Sequence, residues 1–194
     1  MRLVFNIILL VIIGLLGYAL YAGIKEPIDF KAETEYRERI VIDKLLMIRK
    51  AQEAYREITG GSFAHNFDTL KQVLTNDSFK IVRILNDPND PGNEDLFVYD
   101  TVRRPAIDSI ARLGINLEGI EMIPFSDNKQ FLIDADTTTF QKVNVNVVMV
   151  GANRKDYLGE YANNKYKKYD DSYQPFKTVQ FGSMQKPTLA GNWE

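Results

Sequence analysis

Residues 3–24, LVFNIILLVIIGLLGYALYAGI, form an almost unbroken apolar run with no charge and one strongly polar side chain, Asn6. As a helix rising about 1.5 Å per residue, the run spans roughly 33 Å, enough for the hydrocarbon core of a bilayer. A single segment in lipid can satisfy its own backbone hydrogen bonds only as a helix. The sequence therefore predicts a transmembrane anchor over residues 1–24, with the chain from Lys25 onward forming a water-soluble part. A cleaved secretory signal is the competing reading. Its apolar core normally runs about 7–15 residues, and Gly17-Tyr18-Ala19 supplies a small-x-small cleavage site. The run continues past that site to Ile24, which favours an uncleaved anchor. Arg2 gives a weak positive-inside signal that leaves a short N-terminus in the cytoplasm and the bulk of the chain outside it. Gly14, Gly17, Ala19 and Gly23 are small residues that would let a partner helix approach closely.

About 170 residues follow the run, enough for one core and within the size of one domain. The formal net charge is −2 with both signs mixed throughout, so no basic field for nucleic acid is expected. Cysteine is absent, which removes disulfide and thiolate chemistry. The single histidine, His65, excludes sites built from several histidines and leaves carboxylates for any metal.

Pro27 lacks an N–H and disfavours helix at the residue before it, so a break or kink is expected between the anchor and the next helix. That helix is predicted over residues 31–58. Val41, Leu45, Ile48, Ala51 or Gln52, Tyr55 and Ile58 recur at helical spacing, widened into a face by Ile42 and Leu46. Glu33–Arg37 and Glu35–Arg39 stand four apart as stabilising pairs. The first half is the more charged, so a short exposed stalk leading into a buried segment is expected, holding the domain away from the membrane. Gly60-Gly61 ends the helix, and Asn66 or Asp68 caps a short one carrying Leu70, Val73 and Leu74.

Beyond it, residues 79–85 and 96–99 read as strands on either side of an Asp/Asn/Pro/Gly loop. Pro105 opens a short helix with an apolar edge of Ile107, Ile110 and Ala111, closed by Gly114. Strand candidates follow at 121–125 and 130–134. Over residues 143–149, Val143, Val145, Val147 and Met149 alternate with Asn144 and Asn146, which predicts a strand that buries the valine face. A short helix over 155–163, a tyrosine-rich loop to Pro175 and a last strand around Val179 and Phe181 complete the chain. Helices first and strands later, with no βαβ alternation, define an α+β fold with a mainly antiparallel sheet. The domain plan is an anchor (1–24), a linker and long helix (25–60), and an α+β domain (61–194).

His65 is the one candidate base. It shares a loop with Ser62 and Asp68, but a triad is defined by geometry and not by proximity in sequence. The loop Asp87-Pro-Asn89-Asp90-Pro-Gly92-Asn93-Glu94-Asp95 carries oxygen ligands, yet Pro91 and Leu96 spoil the register of a calcium-binding loop. Tyr157, Tyr161, Tyr166, Tyr169 and Tyr173 alternate with lysines and asparagines. Tyrosines packing a loop onto the sheet is the expectation, ahead of an adhesive or base-stacking surface. No catalytic, cofactor-binding or metal site is predicted from these residues.

The segment over residues 45–74, LLMIRKAQEAYREITGGSFAHNFDTLKQVL, resembles the region leaving the long helix in type IV pilin-like proteins and type II secretion pseudopilins. Ala54-Tyr55, Gly60-Gly61, Phe63 and Leu70 carry that order. More broadly, the chain resembles a family of uncharacterised single-span envelope proteins of Bacteroidota. It shares their charged-then-apolar segment KAETEYRERIVIDKLLMIRKAQEAYREITGGSFAHNFDTLKQVL and the ending GSMQKPTLAGNWE. These resemblances imply an inner-membrane anchor with the domain in the periplasm and a structural or assembly role, with other envelope proteins or a second copy of the chain as partners. A membrane-tethered ligand-binding or sensor domain is the alternative, and a tethered hydrolase using His65 a further one.

Overall fold

A computed structural model describes residues 2–85 and 98–194. One helix, α1 (Arg2–Thr59), holds the whole apolar run and the whole amphipathic segment. The break expected at Pro27 is absent. The missing Pro27 N–H costs an intrahelical bond, an effect of about 3 kcal/mol in an ordinary helix interior, but contacts on the next turn secure the helix there. Phe30 is buried against the domain, and Glu26 accepts a hydrogen bond from the Tyr169 hydroxyl. The exposed stalk is absent for the same reason, because the domain folds back along α1 as far as Glu26. The predicted stripe is otherwise observed, with Val41, Leu45, Ile48, Ala51, Gln52 and Tyr55 buried. Arg37 pairs with Glu33 at 2.8 Å. Glu35 faces Lys31 at 3.9 Å, and no Glu35–Arg39 ion pair occurs among the described residues.

Gly60 and Gly61 end α1 with φ of 75° and 123°, where a side chain would be strained. The next residues are clamped by Gln52, whose side-chain amide donates to Ala64 O and accepts from Ala64 N, both at 2.9 Å. Asn66 caps α2 (Phe67–Asn76) by accepting from Thr69 N at 2.7 Å. An antiparallel hairpin follows, β1 (Ser78–Leu85) with β2 (Val98–Pro105). The candidate calcium loop, with Leu96 and Phe97, lies outside the described residues. Pro105 ends β2 and directly precedes α3 (Ala106–Arg112), which buries Ala106 and Ile110. Of the predicted edge Ile110 is buried, while Ile107 and Ala111 are exposed and Ala106 is the other buried residue. Residues 121–125 do not form a strand; a single bridge, Met122 to Gln130, replaces it.

The larger sheet is antiparallel in the order β3–β4–β5, from β3 (Leu132–Phe140), β4 (Val143–Asn153) and β5 (Thr178–Gly182). Its core face carries Ile133, Ala135, Val148, Val150, Ala152, Val179 and Phe181, which the register pairs strand to strand. The predicted valine face of β4 is thereby corrected. Val148, Val150 and Ala152 face the main core; of the predicted face only Val147 is fully buried, while Val143 is 62% exposed and Val145 and Met149 are half-buried. Asn144 and Asn146 share the core side but lie past the end of the core. There they accept from Thr139 (3.0 Å) and Thr137 (2.8 Å), while Asn146 donates to Gly61 O.

Candidate functional site

Two side chains of α1 that lie ahead of the predicted stripe organise the opposite end of the domain. Phe30 and Thr34 are buried, four residues apart and on the face that continues to Val41. The Thr34 hydroxyl donates back to Phe30 O at 2.7 Å, so its polar atom is satisfied within the helix. The Phe30 ring is the hub of an aromatic cluster. Tyr166 stacks on it at 4.4 Å with an interplanar angle of 4°, and Tyr173 meets it edge-on at 4.9 Å. Tyr161 and Tyr169 complete the ring of contacts at 6.2 and 6.3 Å. Four of the five tyrosines singled out in the sequence thus converge on α1. Tyr157, Tyr166 and Tyr173 belong to the same core as the sheet residues Val150, Ala152, Val179 and Phe181, so the tract packs on α1 as well as on the core that the sequence led one to expect.

The backbone beneath them explains how they are held. β4 runs into α4 (Arg154–Leu158), whose cap Asn153 accepts from Lys155 N at 3.0 Å. Two single turns of 3-10 helix follow, Gly159–Tyr161 and Asn164–Lys168. Arg37 ties this segment to α1 by donating to Tyr157 O and Leu158 O at 3.2 and 3.3 Å. The Tyr173 hydroxyl donates to Tyr161 O at 2.7 Å, and burial pushes its pKa up to about 12.

Between α1 and this segment lies a groove of about 780 Å³, lined among others by Pro27, Phe30, Thr34, Glu38, Arg154 and Tyr173. At its floor the Arg154 guanidinium meets the Glu38 carboxylate at 2.7 Å, each side chain about one-fifth exposed. The fully buried Tyr157 lies behind the pair. Burial, then the Glu38 carboxylate, pushes its hydroxyl well above the ordinary tyrosine range. Arg154 is near enough to oppose that shift but not in hydrogen-bonding geometry. The Tyr157 hydroxyl and Arg154 Nε both lack a hydrogen-bond partner among the described residues. Chemically, the groove presents a neutralised ion pair and tyrosine faces, an arrangement suited to holding a polar group.

His65, Ser62 and Asp68 are all exposed. No side-chain hydrogen bond or ion pair joins them among the described residues, so the structure does not bring them together. Among the described residues no group of three or more His, Asp or Glu could hold a metal. The small face of α1 is open, since a Cβ built on Gly14, Gly17 or Gly23 would meet nothing within 4 Å. Glu38 and Arg154 carried no sequence signal, being charged residues among many. Phe30 did carry one, as an aromatic in a charged stretch three helical turns ahead of Val41 on the same face, a position the exposed Tyr36 of that stretch does not share.

The apolar part of α1 is long and apolar enough to cross a membrane, and none of it is buried in the fold. No protein family, curated protein or solved structure matches the chain.

Proposed function

We propose that this chain is a non-enzymatic, single-pass inner-membrane protein. Its periplasmic α+β domain would serve as a structural or assembly component of a cell-envelope machine, of the pilus or secretion kind that the sequence resembles. The observation that carries this reading is the continuity of α1. One helix supplies both the apolar run, over residues 3–24, and the stripe around which the domain core is built. A joint of that kind fixes the domain's place relative to the bilayer, as a scaffold requires and a freely tethered enzyme does not. The exposed apolar residues on the larger sheet's other face, Leu132 and Val143, would provide a contact surface for other envelope proteins or a second copy.

Crosslinking of the full-length protein in its native membrane, followed by mass spectrometry of the captured partners, tests this reading. Recovery of pilus- or secretion-assembly proteins supports it. Recovery of only free, soluble protein lacking its first residues overturns both the anchor and the scaffold.

The groove beside Arg154 favours a second reading, a ligand-binding or sensor domain, because its volume falls within the roughly 300–1,000 Å³ of small-molecule sites. Native mass spectrometry of the purified chain showing a retained small molecule would favour it. The tethered-hydrolase reading draws no support from the exposed His65.

A further inference from the structure

The tract over residues 160–169 lies unusually close to the end of the apolar run. Tyr169 donates to the Glu26 carboxylate, and Lys168 Nζ stands 3.4 Å from it. Tyr161 and Tyr166 line a cavity of about 360 Å³ whose other wall is Tyr18, Tyr21, Ala22 and Lys25 of α1. Glu26 is two residues past Ile24, so the tract meets the helix about 3 Å beyond the apolar run. The polar layer of a bilayer is roughly 5–7 Å thick on each side. If the run spans the hydrocarbon, the tract is therefore at headgroup depth.

Its chemistry suits that depth. Tyrosine rings at the headgroup level present an apolar body and a polar tip to a mixed environment. Lys165, Lys167 and Lys168 fall within one turn of 3-10 helix, and Lys165 and Lys167 are exposed. Lys25 faces the Tyr21 ring at 5.6 Å on the neighbouring helix. The facing acids are Glu26, Asp29 and Glu160 on the cavity wall, with Asp170 and Asp171 next in sequence. Glu26 is matched by Lys168 and Tyr169, which hold its carboxyl below the usual range together with the nearby lysine charge. That leaves Lys25, Lys165 and Lys167 against Asp29 and Glu160 on the cavity side.

We propose that residues 160–169, with Lys25, form a bilayer-seating surface, with the half-buried Tyr161 and Tyr169 rings facing the interface over the buried Tyr166, and with Lys165 and Lys167 on headgroup phosphates. This rests on the membrane-anchor reading and extends it. The domain does not merely hang from the helix but sits on the lipid surface, so α1 is gripped at its exit from the bilayer.

The chain has no native cysteine, so single cysteines report position cleanly. Full-length protein carrying Leu16→Cys, Asn164→Cys or Lys186→Cys is spin-labelled in nanodiscs of phosphatidylcholine and phosphatidylglycerol. Collision with oxygen and with a water-soluble nickel chelate then gives the depth of each label. Leu16 is the anchor control, and Lys186 lies in the segment packed near Arg56, far along α1. The expected result is a deep label at 16, an aqueous one at 186, and nickel collision at 164 about threefold or more below that at 186. A deep label at 16 with equal exposure at 164 and 186 overturns the seat and leaves the anchor standing. An aqueous label at 16 overturns both. A second measurement addresses the lysines. In the Lys165→Gln/Lys167→Gln protein, phosphatidylglycerol retained after release from the nanodisc is expected to fall by about fivefold or more. Unchanged retention overturns the phosphate contact.

Discussion

Phe30 and Tyr166 lie face to face, 136 residues apart in the chain as numbered, with ring centroids 4.4 Å apart and planes 4° from parallel. The contact joins the turn of α1 just past the apolar run to the 3-10 turn Asn164–Lys168, and both residues are buried. Removing either ring therefore opens the joint between helix and domain. Phe30→Ala should destabilise the domain by about 3 kcal/mol, within the usual cost of truncating a buried phenylalanine. Tyr166→Phe keeps the stack and should be close to neutral. Urea denaturation of the full chain in mild detergent, followed by near-ultraviolet circular dichroism, measures both. Equal effects of the two substitutions would assign the stability to the hydroxyl and contradict the stacking account.

Gln52 is a fully buried polar side chain, yet its amide is satisfied because it pairs with both backbone groups of Ala64. Gln52→Leu keeps the apolar volume but leaves the buried Ala64 N–H and C=O without that partner. The expected loss is about 2–4 kcal/mol, the cost of two unsatisfied buried groups. Amide exchange at Ala64 is the specific readout, and it should speed up strongly while exchange in β4 follows only the global change. Gln52→Glu retains the acceptor for Ala64 N–H but loses the donor to Ala64 O, and should also destabilise.

Much of α1 was legible because a long helix with one covered side repeats its pattern many times. Val41 to Tyr55 cover four turns of that stripe, and no other arrangement buries them together. The strand β4 shows the limit of the same reasoning. Its odd positions are apolar from Val143 to Met149 and its even positions from Val148 to Ala152, so period two is present on both faces. The core reaches only the later half, and which half α1 covers is a tertiary matter. The groove was illegible for a related reason. Glu38 and Arg154 look like solvated charges in sequence, and only the return of the chain after β4 brings them to 2.7 Å.

The Lys71–Glu121 ion pair, 2.6 Å apart with Glu121 only 15% exposed, predicts a pH dependence. Burial raises the Glu121 pKa, but the close Lys71 ammonium, with Lys44 behind, outweighs it and holds the carboxyl below its usual 4.5. A carboxyl depressed in the folded state stabilises fully above its unfolded pKa and loses that contribution as pH falls through the folded value. The chain should therefore lose stability below about pH 4.5, and Glu121→Gln should flatten that part of the profile while lowering stability at neutral pH. Thermal melts between pH 3 and 7, wild type against variant, measure the difference. Parallel profiles would show that other carboxylates govern the acid limb.

The turn between β3 and β4 was missed in the sequence because its two central residues are Gln141 and Lys142. Both have positive φ, 50° and 69°, between the paired ends Phe140 and Val143. A two-residue hairpin of that conformation favours Asn-Gly, since most side chains are strained there. The flanking strands impose the conformation nonetheless, through a long ladder and the Thr139–Asn144 and Thr137–Asn146 pairs. Gln141→Asn/Lys142→Gly should therefore relieve strain and stabilise the domain by about 0.5–1 kcal/mol, the gain partly offset by the freedom glycine adds to the unfolded chain. The opposite test is Gly182→Ala at the end of β5. Its φ is 79°, and an added Cβ would fall 2.0 Å from Val148 O, so that substitution should destabilise by several times as much. Both substitutions act through backbone geometry at positions remote from the aromatic cluster. Neither should change the depth of a label at position 164, which separates a loss of fold stability from a loss of the contact between the tyrosine tract and the bilayer.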